Sequence, residues 1–203
     1  MNSILFGERR IYPSKIVCVG RNYVAHIEEL GNEIGDEMVV FFKPNSAISE
    51  ALHACHGEAL HYEGELAFVY EAGGFSAVGF GLDLTRRELQ SRLKQKGLPW
   101  ERAKAFDGAA VFSPFVALSQ ATGSLSMSLE INDVLVQSGG VELMIYKPEQ
   151  ILRELAEFVT LSDGDIVMTG TPKGVGRIEK GDRFTGSVYA KGELLTSATW
   201  TAK

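Results

Sequence analysis

The sequence predicts an α+β fold that is mostly β, on three observations. Glycine supplies 22 of 203 residues, well above the usual ~7%, which favours turn-rich sheet over a helical bundle. Apolar runs are short and bounded by Gly, Pro, Asn and Asp, and only two or three stretches carry helical spacing. Hydrophobic content is 45% and mean hydropathy +0.01, values of an ordinary globular protein with a sizeable core. One domain over residues 1–203, or one domain plus a small subdomain, is expected from this length.

The elements follow in order. Lys15-Ile16-Val17-Cys18-Val19-Gly20 reads as a short buried strand. Arg21-Asn22-Tyr23 and one helical turn at His26-Ile27-Glu28-Glu29-Leu30 come next. Val39-Val40-Phe41-Phe42 is a second strand, stopped by Lys43-Pro44-Asn45. Residues 61–70 read as one strand, acidic at its start and apolar at its far end. After the Gly-broken segment ending in Asp83, Thr85 and Glu88 form a capping box for a helix. Leu89 and Leu93 give that helix its stripe, and Gly97 and Pro99 end it. Residues 126–131 alternate, turn at Asn132-Asp133 and resume at Val134, a hairpin. Pro148 opens a helix whose apolar face is Ile151, Leu152, Leu155, Phe158 and Val159. Residues 165–170 form a strand, and a last hairpin turns on Lys191-Gly192.

Composition excludes several function classes. The formal charge is −6 and the pI near 5.3, with no basic stripe to meet phosphates, so no nucleic acid is expected. No run approaches the ~20 apolar residues of a membrane span. The first residues lack a basic region followed by a long apolar one, so no signal peptide is read. Cys18 and Cys55 have neither CxxC nor His-flanked spacing and read as reduced thiols, which places the protein in the cytoplasm.

Glu63 and Glu65 carry the first chemical signal. Side chains two apart on a strand share a face, so both carboxylates converge. Such a pair raises its own pKa unless a cation sits between, and Mg2+ or Mn2+ takes oxygen ligands of this kind. The plain alternative is a solvated edge strand. Asp83, at a strand end before a helix, adds a third acid, or else serves a turn or cap. His26 has a suitable ordinary pKa for a general base, and Glu29, three positions on, could meet it on one helical face. Otherwise His26 is a surface histidine. Lys104 either faces an oxyanion or is solvated. His53, His56 and His61 fit no closed zinc site. Residues 169–176 lack phosphate-loop spacing.

Five motifs in order give the chain a likeness. Gly20-Arg21-Asn22-Tyr23 with His26, Phe42-Lys43-Pro44, Tyr62-Glu63-Gly64-Glu65-Leu66, Lys104-Ala105-Phe106-Asp107 and Thr169-Gly170-Thr171-Pro172-Lys173-Gly174-Val175-Gly176 resemble the fumarylacetoacetate hydrolase family. The likeness is to its small single-domain members, among them acylpyruvate hydrolases and oxaloacetate decarboxylases, and runs from about residue 15 to residue 190. It implies a β-roll of mixed sheets with a few peripheral helices, a homodimer, and one Mg2+ or Mn2+ per subunit. By resemblance Glu63, Glu65 and Asp83 are the metal ligands. His26 and Glu29 are a catalytic dyad on a mobile lid over residues 25–36, and Lys104 is the active-site lysine. Arg21, Tyr23, Arg87, Gln90 and Thr171 fall on substrate-binding positions. Thr85-Arg86-Arg87-Glu88 stands where the family often has Thr-Ala-Arg-Asp, and Thr196 where Asn is common.

The function expected first is metal-dependent hydrolysis of a C–C bond in a 3-acylpyruvate-type 2,4-dioxo acid. Such an acid can chelate the ion, which stabilises the enolate released as the bond breaks. Oxaloacetate decarboxylation and 2-hydroxy-dienoate isomerisation use the same enolate. A sugar- or protein-binding β domain without catalysis is the remaining class.

Overall fold

Strands apolar on both faces need cover on two sides, and this chain layers accordingly. The computed structural model describes residues 1–29, 31, 37–118 and 121–203. β1 (Ile4–Phe6) and β2 (Arg9–Ile11) form a small hairpin. β3 (Lys15–Gly20) leads through α1 (Val24–Glu29) to β4 (Val39–Pro44). β5 (His61–Tyr62), β6 (Gly64–Glu71) and β7 (Gly74–Asp83) follow, then α2 (Arg87–Gln95) and α3 (Glu101–Lys104). β8 (Ala110–Phe112), β9 (Val116–Ala117), β10 (Leu125–Ile131) and β11 (Val134–Gly140) precede α4 (Pro148–Ala156). β12 (Ile166–Met168), β13 (Gly176–Arg177), β14 (Arg183–Ala190) and β15 (Glu193–Thr201) complete the chain.

The larger sheet runs β4-β3-β12-β6-β7-β8, with β9 also on β7, and the smaller runs β11-β10-β14-β15. β12 pairs parallel with β3 and antiparallel with β6, which makes the larger sheet mixed, as the resemblance implied. Two-residue turns with positive φ at both positions join β6–β7 (Ala72, Gly73), β10–β11 (Asn132, Asp133) and β14–β15 (Lys191, Gly192). Those φ values match the strand twist.

Alternation assigns the faces. Leu66 and Phe68 of β6, with Val78, Phe80 and Leu82 of β7, pack in one buried cluster with Met127, Leu129, Phe184 and Val188 of the smaller sheet. Each such side chain contributes about 1.5–3 kcal/mol by leaving water. A Cβ on Gly186 would lie 2.2 Å from the Phe80 ring, so glycine there lets the sheets close. Ala67, Val69 and Ala77 take the opposite face, with Ile16, Cys18, Phe115, Ile166 and Met168. Ile151 and Leu155 of α4 cover Val17, Val19 and Val167.

Several local expectations change. The strand expected over residues 61–70 breaks at Glu63, because β5 pairs with β13 and β6 with β7. β4 continues through Lys43 and Pro44 rather than stopping before them. α2 begins at Arg87, with no side-chain cap at Arg86, and the Thr85 hydroxyl is used elsewhere. α4 ends at Ala156, so Phe158 leaves the helical face and is 60% exposed. The β1–β2 hairpin and β8 were not read from the sequence. Of the lid expected over residues 25–36, positions 30 and 32–36 lie outside the described residues. Among the described residues no helix is long and apolar enough to cross a membrane.

Candidate active site

Register brings the acids to one end of the larger sheet. Glu65 opposes Gly81 across β6 and β7, and Asp83 ends β7 two residues later. Glu63 immediately precedes β6, and its carbonyl accepts the Asp83 N–H at 2.8 Å. One ligand oxygen from each of the three, all buried, lies within 4.8 Å of the others.

Cations share the cluster. Lys104, delivered by the short helix α3, donates to Asp83 Oδ2 at 2.6 Å, Glu63 Oε2 at 3.0 Å and Thr85 Oγ1 at 2.6 Å. Lys43, 0% exposed, places Nζ 2.8 Å from Asp83 Oδ1 and donates to the Lys104 and Leu84 carbonyls. Arg87 pairs with Glu63 and donates to Gln90 Oε1 at 2.9 Å. The Thr85 hydroxyl, expected as a helix cap, instead faces Glu63 Oε1 at 3.3 Å.

The two glutamates therefore diverge. Burial alone would raise Glu63, but the Lys104 and Arg87 charges override it and hold the carboxyl well below the usual range. Burial, then Asp83 and Glu63, hold Glu65 well above it. Burial would lower Lys104, yet Asp83 and Glu63 raise it. Among the described residues the Glu65 carboxylate accepts one hydrogen bond, from the Gly170 N–H at 2.7 Å. A cation is what that carboxylate lacks, and three hard oxygen donors suit Mg2+ or Mn2+. The residues fit such an ion.

His26 and Glu29 both stand on α1. His26 Nδ1 lies 3.1 Å from Glu29 Oε2, and Glu29 Oε1 accepts the Gly174 N–H at 2.9 Å. The helix is thereby tied to the turn at residues 169–176. His26, Arg21, Glu63, Glu65, Asp83, Arg87, Gln90, Lys104 and Thr171 line one cleft, with Phe41, Lys94 and Trp100. Glu29 reaches it through His26. Tyr23 packs in the core cluster instead, its buried hydroxyl without a hydrogen-bond partner among the described residues, and burial raises its pKa. His53 and His56 are exposed, and the His56 ring lies 4.7 Å from that of Phe106, tilted by 32°.

Sequence reasoning missed three supports. Lys43 reads only as a strand stop within the Phe42-Lys43-Pro44 motif, although a lysine two residues after Phe41 in an apolar strand is a signal. Gln137 of β11 accepts the Gly64 N–H at 2.9 Å and donates to Thr171 Oγ1 and the Pro172 carbonyl, both at 2.8 Å. It ties the residue between the two glutamates to the Thr171 turn. Asn22 donates to the Thr169 and Tyr146 carbonyls at 2.8 and 3.0 Å. Asn22 falls within the Gly20-Arg21-Asn22-Tyr23 motif, whereas Gln137 carries no local sequence signal.

Known proteins match this arrangement along nearly the whole chain. The profile of the fumarylacetoacetate hydrolase C-terminal domain matches residues 15–197. An Escherichia coli protein named oxaloacetate tautomerase is 38% identical, covering 92% of this chain and 93% of its own. The human mitochondrial oxaloacetate tautomerase is 36% identical over 86% of each. Fumarylpyruvate hydrolase from Pseudomonas aeruginosa, solved with Mn2+ and pyruvate, superposes with a TM-score of 0.89 at 31% identity. That match covers 99% of this chain and 95% of the other.

Proposed function

The chain belongs to the fumarylacetoacetate hydrolase family, and on that premise we propose that it enolises a small 2-oxo acid, as an oxaloacetate keto–enol tautomerase. The observation that carries this reading is the His26–Glu29 pair, 3.1 Å apart, opening on a cleft with three buried oxygen donors and a lysine. Relatives named oxaloacetate tautomerase support it.

Glu63, Glu65 and Asp83 would hold Mg2+ or Mn2+. Bound there, the ion would supply Lewis-acid polarisation of the substrate carbonyl. Tautomerisation moves one proton from the carbon beside the carbonyl to the carbonyl oxygen. With Nδ1–H assigned to Glu29, Nε2 of His26 is the base that takes the carbon-bound proton. The Lys104 ammonium, held beside Glu63 and Asp83, would offset the charge that develops on the oxygen, and passage of the proton from His26 Nε2 to that oxygen through solvent completes the enol and restores the neutral imidazole. Arg21 and Thr171, which line the same cleft, would orient the carboxylate.

The test is the approach of oxaloacetate to keto–enol equilibrium, followed by the ultraviolet absorbance of the enol with Mg2+ or with EDTA. The expected result is acceleration by the protein with Mg2+ and its loss in EDTA. General bases typically supply 10²–10⁴-fold, so His26→Ala should slow the reaction by about 100-fold or more. No acceleration by the wild type, or full activity in His26→Ala, overturns the reading.

A second reading, C–C hydrolysis of an acylpyruvate, is favoured by how Glu29 bridges His26 and the Gly174 N–H. That bridge fixes an imidazole able to deprotonate water. Water oxygen would add to the acyl carbonyl carbon, the C–C bond would break, and its electron pair would leave on the pyruvate fragment, which takes up a proton. The likeness to fumarylpyruvate hydrolase supports it. Pyruvate release from fumarylpyruvate or acetylpyruvate, and carbon dioxide release from oxaloacetate, separate hydrolysis and decarboxylation from tautomerisation. The homodimer implied by the resemblance belongs to the same proposal, and light scattering reads it.

A further inference from the structure

We propose that Lys94, at the mouth of the cleft, binds a second carboxylate on the far end of the substrate and thereby selects dicarboxylic 2-oxo acids over monocarboxylic ones; this rests on the enolising reading above. Arg87, Gln90 and Lys94 occur at i, i+3 and i+7 on α2, one face of a helix. All three line the cleft, with Arg21 and Trp100. Arg87 is committed to Glu63 and Gln90. Lys94 holds its ammonium over the Trp100 ring, 4.7 Å from the centroid, and among the described residues no carboxylate pairs with it. The indole fixes the ammonium without neutralising it.

The surroundings favour an arriving anion. Burial, then the Arg21 and Arg87 charges, push Lys94 down to about 8, so positive charge is crowded here and an anion relieves it. Arg21, just after β3, holds φ at 55°, a left-handed backbone uncommon for a residue other than glycine. A monocarboxylic 2-oxo acid spends its single carboxylate at the 2-oxo end and leaves this basic mouth unmet. A dicarboxylic acid meets both.

Titration calorimetry with Mg2+ at fixed ionic strength would compare 2-oxoglutarate with 2-oxopentanoate, which differ by the terminal carboxylate. Wild type should bind 2-oxoglutarate about tenfold more tightly, the scale of one charge-assisted contact. Lys94→Met should lose that preference while binding 2-oxopentanoate within about twofold of wild type, and Lys94→Arg should keep it. Equal affinities in wild type overturn the proposal. So does a preference surviving in Lys94→Met, a Lys94→Met protein weakened equally toward both acids, or no measurable binding of either. These outcomes concern binding alone, whereas the tautomerase reading stands or falls on turnover.

Discussion

Replacing Lys43 by Met removes a charge from the densest part of the site while nearly keeping volume. Lys43 is 0% exposed, with Nζ 2.8 Å from Asp83 Oδ1 and carbonyls of Lys104 and Leu84 as acceptors. Breaking a buried pair by deleting one partner costs about 3–5 kcal/mol. Asp83 keeps Lys104 at 2.6 Å, which argues for the lower end, and the two carbonyls left without a donor add to it. A loss of about 3 kcal/mol is expected, or a Tm about 6–12 °C lower for a chain of this length. Urea unfolding in EDTA, with the m-value checked, measures it. The variant also removes a positive charge that opposes a divalent ion beside Asp83, so the Mg2+-induced rise in Tm should be at least that of wild type. A stability loss below about 1 kcal/mol at unchanged m-value would refute the reasoning, since Asp83 would then not depend on Lys43.

Glu65→Gln keeps shape but removes the carboxylate without a cationic partner, so the Mg2+-dependent rise in Tm should shrink or vanish while the protein stays folded. An ion at 100 times its Kd stabilises by about 2.7 kcal/mol, an effect thermal shift reads directly, and an unchanged rise would place the ion elsewhere. Asp165 is buried and accepts from the Ser14, Lys15 and Ser162 N–H groups and from Lys15 Nζ. Burial would raise its pKa, but these donors override it and lower it. A depressed folded pKa gives stability that is complete above the unfolded value of about 4 and lost as pH falls through the folded one. Asp165→Asn should therefore be less stable than wild type at pH 7, with the gap closing in acid; a gap that is constant down to low pH counts against it. Gly186→Ala forces a methyl to 2.2 Å from the Phe80 ring and should destabilise by about 1–3 kcal/mol. Phe80→Leu in the same chain should recover part of that loss, and the absence of any recovery would mean that the strain lies elsewhere.

Local pattern determined much of this protein. Alternation and turn residues placed the hairpins at Asn132-Asp133 and Lys191-Gly192, because the side-chain period of a strand and the φ demands of a tight turn are written in neighbouring residues. The spacing of Glu63 and Glu65, and the three-residue step from His26 to Glu29, likewise stated which side chains could converge. What the sequence left open was what surrounds them. Thr85 has the spacing of a helix cap, yet its hydroxyl meets Lys104 and Glu63, since a cap competes with any partner that tertiary structure brings closer. Lys43 and Gln137 come from strands distant in sequence, and only the β3–β4 pairing and the packing of the two sheets aim them at Asp83 and Gly64. Whether three acids stay charged was also undecidable locally. The answer depends on burial and on Lys43, Lys104 and Arg87, and Coulomb energy falls with distance in space, not along the chain.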